Sequence, residues 1–256
     1  MLRLDTLRKF DASAFMPDGA GVALIIGKRA TGKSVLVKDL LSRHRDIPFG
    51  TVVSPTESGR NYGCIRIPAL QPLKQLKPLQ VREDYDRDVV VRVLDRQEAM
   101  HPTRCIRRDA SDAFDASADP RAFLVLDDCM FDTHWHKDPA VRQLFSNVKS
   151  YRTLVFLTLP YPYGLPAAMR DALHYVFILR ESHEGNRRRL YSLYGAYVFD
   201  TFEGFCLAMD RYCTDFGCLV LDYTARSNRP EEIVFWYRAE QPRVVATDTP
   251  PIASRL

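Results

Sequence analysis

The sequence has no apolar run approaching the roughly 20 residues needed to cross a bilayer, so no membrane span is expected. Its first residues, Met1-Leu2-Arg3-Leu4-Asp5, lack the apolar core that directs secretion, and the expected location is the cytosol or nucleus, not the exterior. The six cysteines, at 64, 105, 129, 206, 213 and 218, include no CxxC pair, so reduced thiols are expected rather than a disulfide framework or a zinc site. His134 and His136 flank Trp135, but no third ligand stands at suitable spacing for a metal. Gly/Ser linkers, low-complexity blocks and internal repeats are also missing, which favours one large domain over two small ones. The net charge of +4 is too small to require a nucleic-acid partner. Arg104, Arg107, Arg108 and Arg187-Arg188-Arg189 are nevertheless local candidates for phosphate contact.

What is present begins with Ile25-Ile26-Gly27-Lys28-Arg29-Ala30-Thr31-Gly32-Lys33-Ser34. The apolar run Val22 to Ile26 reads as a buried strand, and Val35 to Leu41 carries apolar residues at helical spacing. An octet bounded by glycines between strand and helix is a phosphate-binding loop. Gly27 and Gly32 let the backbone curl until successive amides converge, and the following helix adds positive character at its N-terminus. Polyphosphate fits such a concavity, so the residues from Gly27 through Lys28, Arg29, Ala30, Thr31, Gly32, Lys33 and Ser34 to Val35 are expected to hold ATP. Lys33 would reach the β- and γ-phosphates, and the Ser34 hydroxyl would take one position on Mg²⁺.

Farther on, Phe49 to Ser54 reads as a second strand with Thr56-Glu57 at its tip, and Asp84 to Met100 as a helix. His101 to Pro120 has no clear period and reads as a surface excursion. Ala122-Phe123-Leu124-Val125-Leu126 suits a central parallel strand, and it ends in Asp127-Asp128. Asp127 is expected to hold Mg²⁺ through water, and Asp128 to face the attacking water as general base. Glu57 is an alternative base. Thr158, ending the strand Leu154 to Leu159, is either a γ-phosphate sensor or a packed sheet residue. Arg170, in a short helix, is a candidate arginine finger toward a neighbouring subunit. Helices from Asp138, Asn186 and Thr201, a strand Tyr175 to Leu179, and closing strands at Cys218 to Leu221 and Ile233 to Trp236 complete an α/β fold with a mainly parallel sheet and its sites at strand C-termini. An entry segment over 1–20 carries the apolar cluster Phe10 to Phe15, expected across the sheet edge or against a neighbour. The main domain is expected over 21–240, followed by a mobile tail over 241–256.

Several ordered segments resemble a known family over roughly residues 20 to 240. They are Ile26 to Ser34, Val53-Ser54-Pro55-Thr56-Glu57, Leu124 to Met130, Tyr161-Pro162-Tyr163-Gly164-Leu165-Pro166 leading to Arg170, Tyr175 to Glu181, Asn186 to Tyr191 and Val234-Phe235-Trp236-Tyr237. Together they resemble the DNA-packaging ATPases of large double-stranded DNA viruses, a branch of the FtsK/HerA-type P-loop translocases with an additional strand between the phosphate loop and the acidic strand. The resemblance implies a ring of five or six identical subunits that hydrolyses ATP to drive duplex DNA into a preformed capsid. It implies backbone contacts to double-stranded DNA, a capsid or portal-like partner, and a place at viral assembly sites in the host cytoplasm or nucleus, or in the virion. Lys33, Ser34, Asp127 and Asp128 of one subunit would be joined by Arg170, Arg187 or Arg189 of the next. Two positions depart from the family. Pro160 stands where a glutamine is usual, and Asn147-Val148-Lys149-Ser150-Tyr151 replaces a segment that usually carries arginine. A small-molecule P-loop kinase, or a nucleotide-binding structural protein without turnover, stays open beside the motor reading.

Overall fold

The computed structural model of the protein describes residues 7–54, 79–82, 87–100, 119–129, 135–162 and 165–240. The expectations for Glu57, for the excursion over 101–118, for Arg104, Arg107 and Arg108, for His134 and for the tail over 241–256 lie outside these residues.

Among the described residues nine strands form one sheet: β1 Arg8–Lys9, β2 Gly21–Ile26, β3 Phe49–Val53, β4 Leu79–Arg82, β5 Ala122–Asp127, β6 Thr153–Leu159, β7 Tyr175–Leu179, β8 Gly217–Asp222 and β9 Val234–Arg238. Their order across the sheet is β1-β9-β8-β7-β2-β6-β5-β3-β4. Every pairing is parallel except the two made by β8, which runs against β7 and β9. The C-terminal ends of β2, β3, β5, β6 and β7 therefore share one rim with the start of β8, where Leu179 lies beside Cys218. β6 stands between β2 and β5, the place of the additional strand.

The alternation of side chains along each strand divides the core in two. On one face Leu24, Leu126, Leu157 and Ile178 pack with the helix Arg87–Ala99 through Val90 and Leu94, with Pro139–Ser146 through Val141, Leu144 and Phe145, and with Phe202–Tyr212 through Phe205 and Met209. On the other, Ile25, Val125, Phe156 and Phe177 meet the helix Lys33–Leu41 through Leu36, Val37 and Leu40. One helix cannot cover that face, and the entry segment supplies the rest. Phe15 is 1% exposed and lies within ring contact of Phe156, Tyr175 and Phe177. Phe10 packs against Tyr175, Phe177, Phe235 and Tyr237. This refines the expectation for the Phe10 to Phe15 cluster: the Phe10 N–H donates to the Trp236 carbonyl of β9 at 2.8 Å beside the sheet edge, and the aromatic rings lie beneath the sheet because they fill area that a helix would otherwise bury.

The helices match the sequence periods with one shift, and one strand is added. The basic helix begins at Glu184, runs to Leu190 and continues as a π-helical turn over Tyr191–Gly195. β4 at Leu79–Arg82 was not expected, since its four residues alternate too briefly to register as a strand. Among the described residues no helix is long and apolar enough to cross a membrane.

Candidate functional site

The loop that follows β2 is wound as its glycines and small residues require. The Gly27 N–H donates to the Leu159 carbonyl of β6 at 3.0 Å, and a Cβ at Gly27 would stand 2.6 Å from Thr31 Oγ1 and 2.9 Å from Leu179 Cβ. Gly32 caps the next helix at φ 103°, a conformation that L side chains rarely adopt. Ala30 takes φ 60° without being glycine. Thr31 Oγ1 donates to the Lys28 carbonyl at 2.7 Å and closes the curl.

Lys33 is 8% exposed, and its Nζ donates to the carbonyls of Gly27 at 2.9 Å and Lys28 at 3.3 Å. The ammonium thus lies across the concavity of the loop. Ser34, the second residue of the helix, donates its Oγ to Asp127 Oδ2 at 3.2 Å, joining the loop to the end of β5 across the intervening β6. Ser54 Oγ, just past β3, reaches the same oxygen at 3.5 Å. Thr158 of β6 is in register with Asp127, donates its hydroxyl to Oδ1, and accepts the Asp128 N–H at 2.9 Å. Three hydroxyls from three segments therefore converge on one carboxylate that is 2% exposed. Asp128 turns out of the strand at φ 57° and is 7% exposed. The donor set is entirely oxygen, which suits a hard cation such as Mg²⁺ and disfavours a soft metal.

Lys28 bridges the loop to the turn after β7, with its Nζ 2.7 Å from Glu181 Oε1. Burial pulls the Glu181 carboxyl upward, but Lys28, the His183 N–H and the Asn186 amide outweigh it and hold the group below its ordinary value. Sequence reading assigns no role to Glu181, the acid that pairs with the loop, or to Ser54, the hydroxyl beside Asp127. Both are polar residues in the turn just after an apolar strand, and only the register places them.

Arg170 is not brought to this rim. Its Nη1 donates to the Leu165 carbonyl at 2.8 Å, and it borders a cavity of about 500 Å³ with Tyr194, Tyr197, Asp222 and Tyr223. Asp222 pairs with Tyr175 at the start of β7, so this is the opposite end of the sheet from Gly27. The height of a six-residue strand, roughly 20 Å, separates Arg170 from its own loop. Arg187 is on the loop side, paired with Asp210 at 2.5 Å and donating to the Glu181 carbonyl.

No protein-family model matches the chain. The uncharacterized protein 075L of Invertebrate iridescent virus 6 is 30% identical over 241 residues, covering 90% of this chain and 85% of that protein. The chain belongs to this viral family. An uncharacterized member from Acanthamoeba polyphaga mimivirus is 25% identical and covers 91% of the chain. Among solved structures, the genome packaging NTPase B204 from Sulfolobus turreted icosahedral virus 2, in complex with ATP-γS, superposes with a TM-score of 0.56 at 12% identity, covering 88% of this chain and 100% of that one. At that identity the likeness concerns fold, and the shared fold is that of a P-loop NTPase. In this chain the P-loop is joined to an acidic strand across an intervening strand, as the Ser34–Asp127 contact shows.

Proposed function

We propose that the protein is the ATPase subunit of a ring-forming motor that moves double-stranded DNA into a preformed viral capsid. The observation that carries the nucleotide half is the Ser34–Asp127–Thr158 cluster at the rim where Lys33 lies across the loop. ATP would seat its phosphates in the amides of Gly27 to Val35, and Lys33 would leave the two loop carbonyls for the β- and γ-phosphates. Ser34 and Asp127 would hold Mg²⁺, which supplies charge neutralisation on the phosphate oxygens when bound. Asp128 would accept the proton of the attacking water, its backbone held by Thr158. Glu57 remains the second candidate for that proton.

The packaging half is supported by the fold shared with the B204 packaging NTPase and by membership of a family from large DNA viruses. In this reading the subunits form a homopentamer or homohexamer, and Arg170 meets the nucleotide of a neighbour because its own lies at the other end of the sheet. Duplex DNA is held through its backbone, a capsid or portal-like component receives it, and the site of action is viral assembly in the host cytoplasm or nucleus. The main domain spans 21–240, between an entry segment and a C-terminal tail.

ATPase rate with and without duplex DNA, on wild type and Lys33→Ala in the assembled ring, tests this. The expected result is magnesium-dependent turnover that rises with DNA and vanishes in Lys33→Ala. A rate indifferent to DNA in an assembled ring, or one that requires a small-molecule acceptor as a kinase would, rules the motor out. Binding of ATP without phosphate release would instead indicate a structural nucleotide-binding protein.

A further inference from the structure

The turn between the helix Phe202–Tyr212 and β8 holds a bulky residue in an unfavourable backbone conformation. Asp215 and Phe216 take φ 46° and 62°, a left-handed pair that costs L residues on the order of 1–2 kcal/mol each. The turn is locked by the Gly217 N–H donating to the Thr214 carbonyl at 2.7 Å, and a Cβ at Gly217 would meet the Tyr212 carbonyl at 2.2 Å. The result is a phenylalanine 51% exposed, beside a strand in which Cys218, Leu219, Val220 and Leu221 are wholly buried. Strained backbone clusters at ligand sites, and here it presents an aromatic side chain.

That ring stands against the phosphate loop. A Cβ on Gly32 would lie 2.9 Å from Phe216 Cδ1. Ala30, Thr31, Arg180, Thr214 and Phe216 border a cavity of about 380 Å³, within the range of small-ligand pockets. A chain of phosphates lying in the loop therefore has next to it an open space bordered by Phe216 and Arg180. We infer that Phe216 is the platform on which the nucleobase stacks, making this turn the base subsite of the nucleotide site. The inference rests on the nucleotide reading above and extends it to the part of the ligand that the phosphate loop does not touch.

Calorimetric titration of the full chain with ATP and, separately, with inorganic tripolyphosphate separates base from phosphate. Base–aromatic stacking sets the expected loss in Phe216→Ala at about tenfold for ATP, with tripolyphosphate affinity unchanged. Phe216→Leu, which keeps bulk against Gly32 but removes the aromatic face, should lose ATP affinity similarly, and Phe216→Tyr should retain it. Unchanged ATP affinity in Phe216→Ala, alongside loss of ATP binding in Lys33→Ala, would overturn the base subsite and leave the nucleotide reading standing. An equal loss for ATP and tripolyphosphate would also overturn it, since Phe216 would then only buttress the loop. Wild type binding neither ligand would overturn the nucleotide reading and this inference with it.

Discussion

Thr158 has no exposed surface, and both hydrogen-bonding capacities of its hydroxyl serve the acid pair. It is therefore a positioning residue: it fixes the Asp127 carboxylate and the backbone of Asp128 together. Thr158→Val keeps shape and removes the hydroxyl, leaving a buried N–H and a carboxylate oxygen short of a partner. The expected cost is about 1–3 kcal/mol in chemical denaturation, with turnover falling more than nucleotide affinity. Thr158→Ser should recover most of both. Asp128→Asn, by contrast, should bind nucleotide normally in a filter or calorimetric assay and hydrolyse none, because the amide cannot accept the proton. At Ala30 the backbone itself is the target. Its φ of 60° favours glycine, so Ala30→Gly should raise unfolding free energy by about 0.5–1 kcal/mol, read as a higher thermal midpoint.

At the scale of elements, the face under β2, β6 and β7 depends on a segment with little regular structure. Phe15, buried against the rings of Phe10, Phe156, Tyr175 and Phe177, substitutes for a helix there. Phe15→Ala should cost about 3–5 kcal/mol, visible as a lower urea midpoint. Two histidines make the packing of this region sensitive to acid. His44 is 7% exposed and touches Phe15, and His174 accepts the Val22 N–H on Nδ1 at 3.2 Å. Burial is the main cause that lowers both below the ordinary 6.5. A depressed histidine stays neutral in the fold while the unfolded chain takes up a proton, so stability is full above about 6.5 and declines as pH falls toward the folded-state values. Thermal midpoints measured from pH 7.5 to 5.5 should fall over that window. His44→Phe should flatten the decline, and a profile unchanged in that variant would place the sensitivity elsewhere.

For the whole molecule, the proposed ring, with Arg170 at the far end of the sheet from its own loop, would make the active unit a pair of subunits rather than one chain. Rings made wholly of Lys33→Ala or wholly of Arg170→Ala should each be inactive. Mixed one to one, a site works where an Arg170→Ala subunit sits next to a Lys33→Ala subunit that lends its arginine, so about a quarter of wild-type ATPase should return. No recovery on mixing would remove Arg170 from the site and leave Arg187 or Arg189 to be tried in the same way.

The sequence by itself determined the local chemistry. The loop from Gly27 to Ser34, the apolar strand ending in Asp127-Asp128, and most strands and helices were legible because glycine spacing, apolar period and strand-end polarity are properties of contiguous residues. Tertiary structure alone decided which strand stands between loop and acids, that Ser54 and Thr158 turn toward Asp127, that Glu181 pairs with Lys28, and that Phe216 faces Gly32. Those contacts join residues from 31 to 184 positions apart, and no local pattern encodes which strands will be neighbours. It also placed Phe15 under the sheet and Arg170 at its far end, because area left uncovered by one helix and the direction of a crossover connection are settled only when the whole sheet closes.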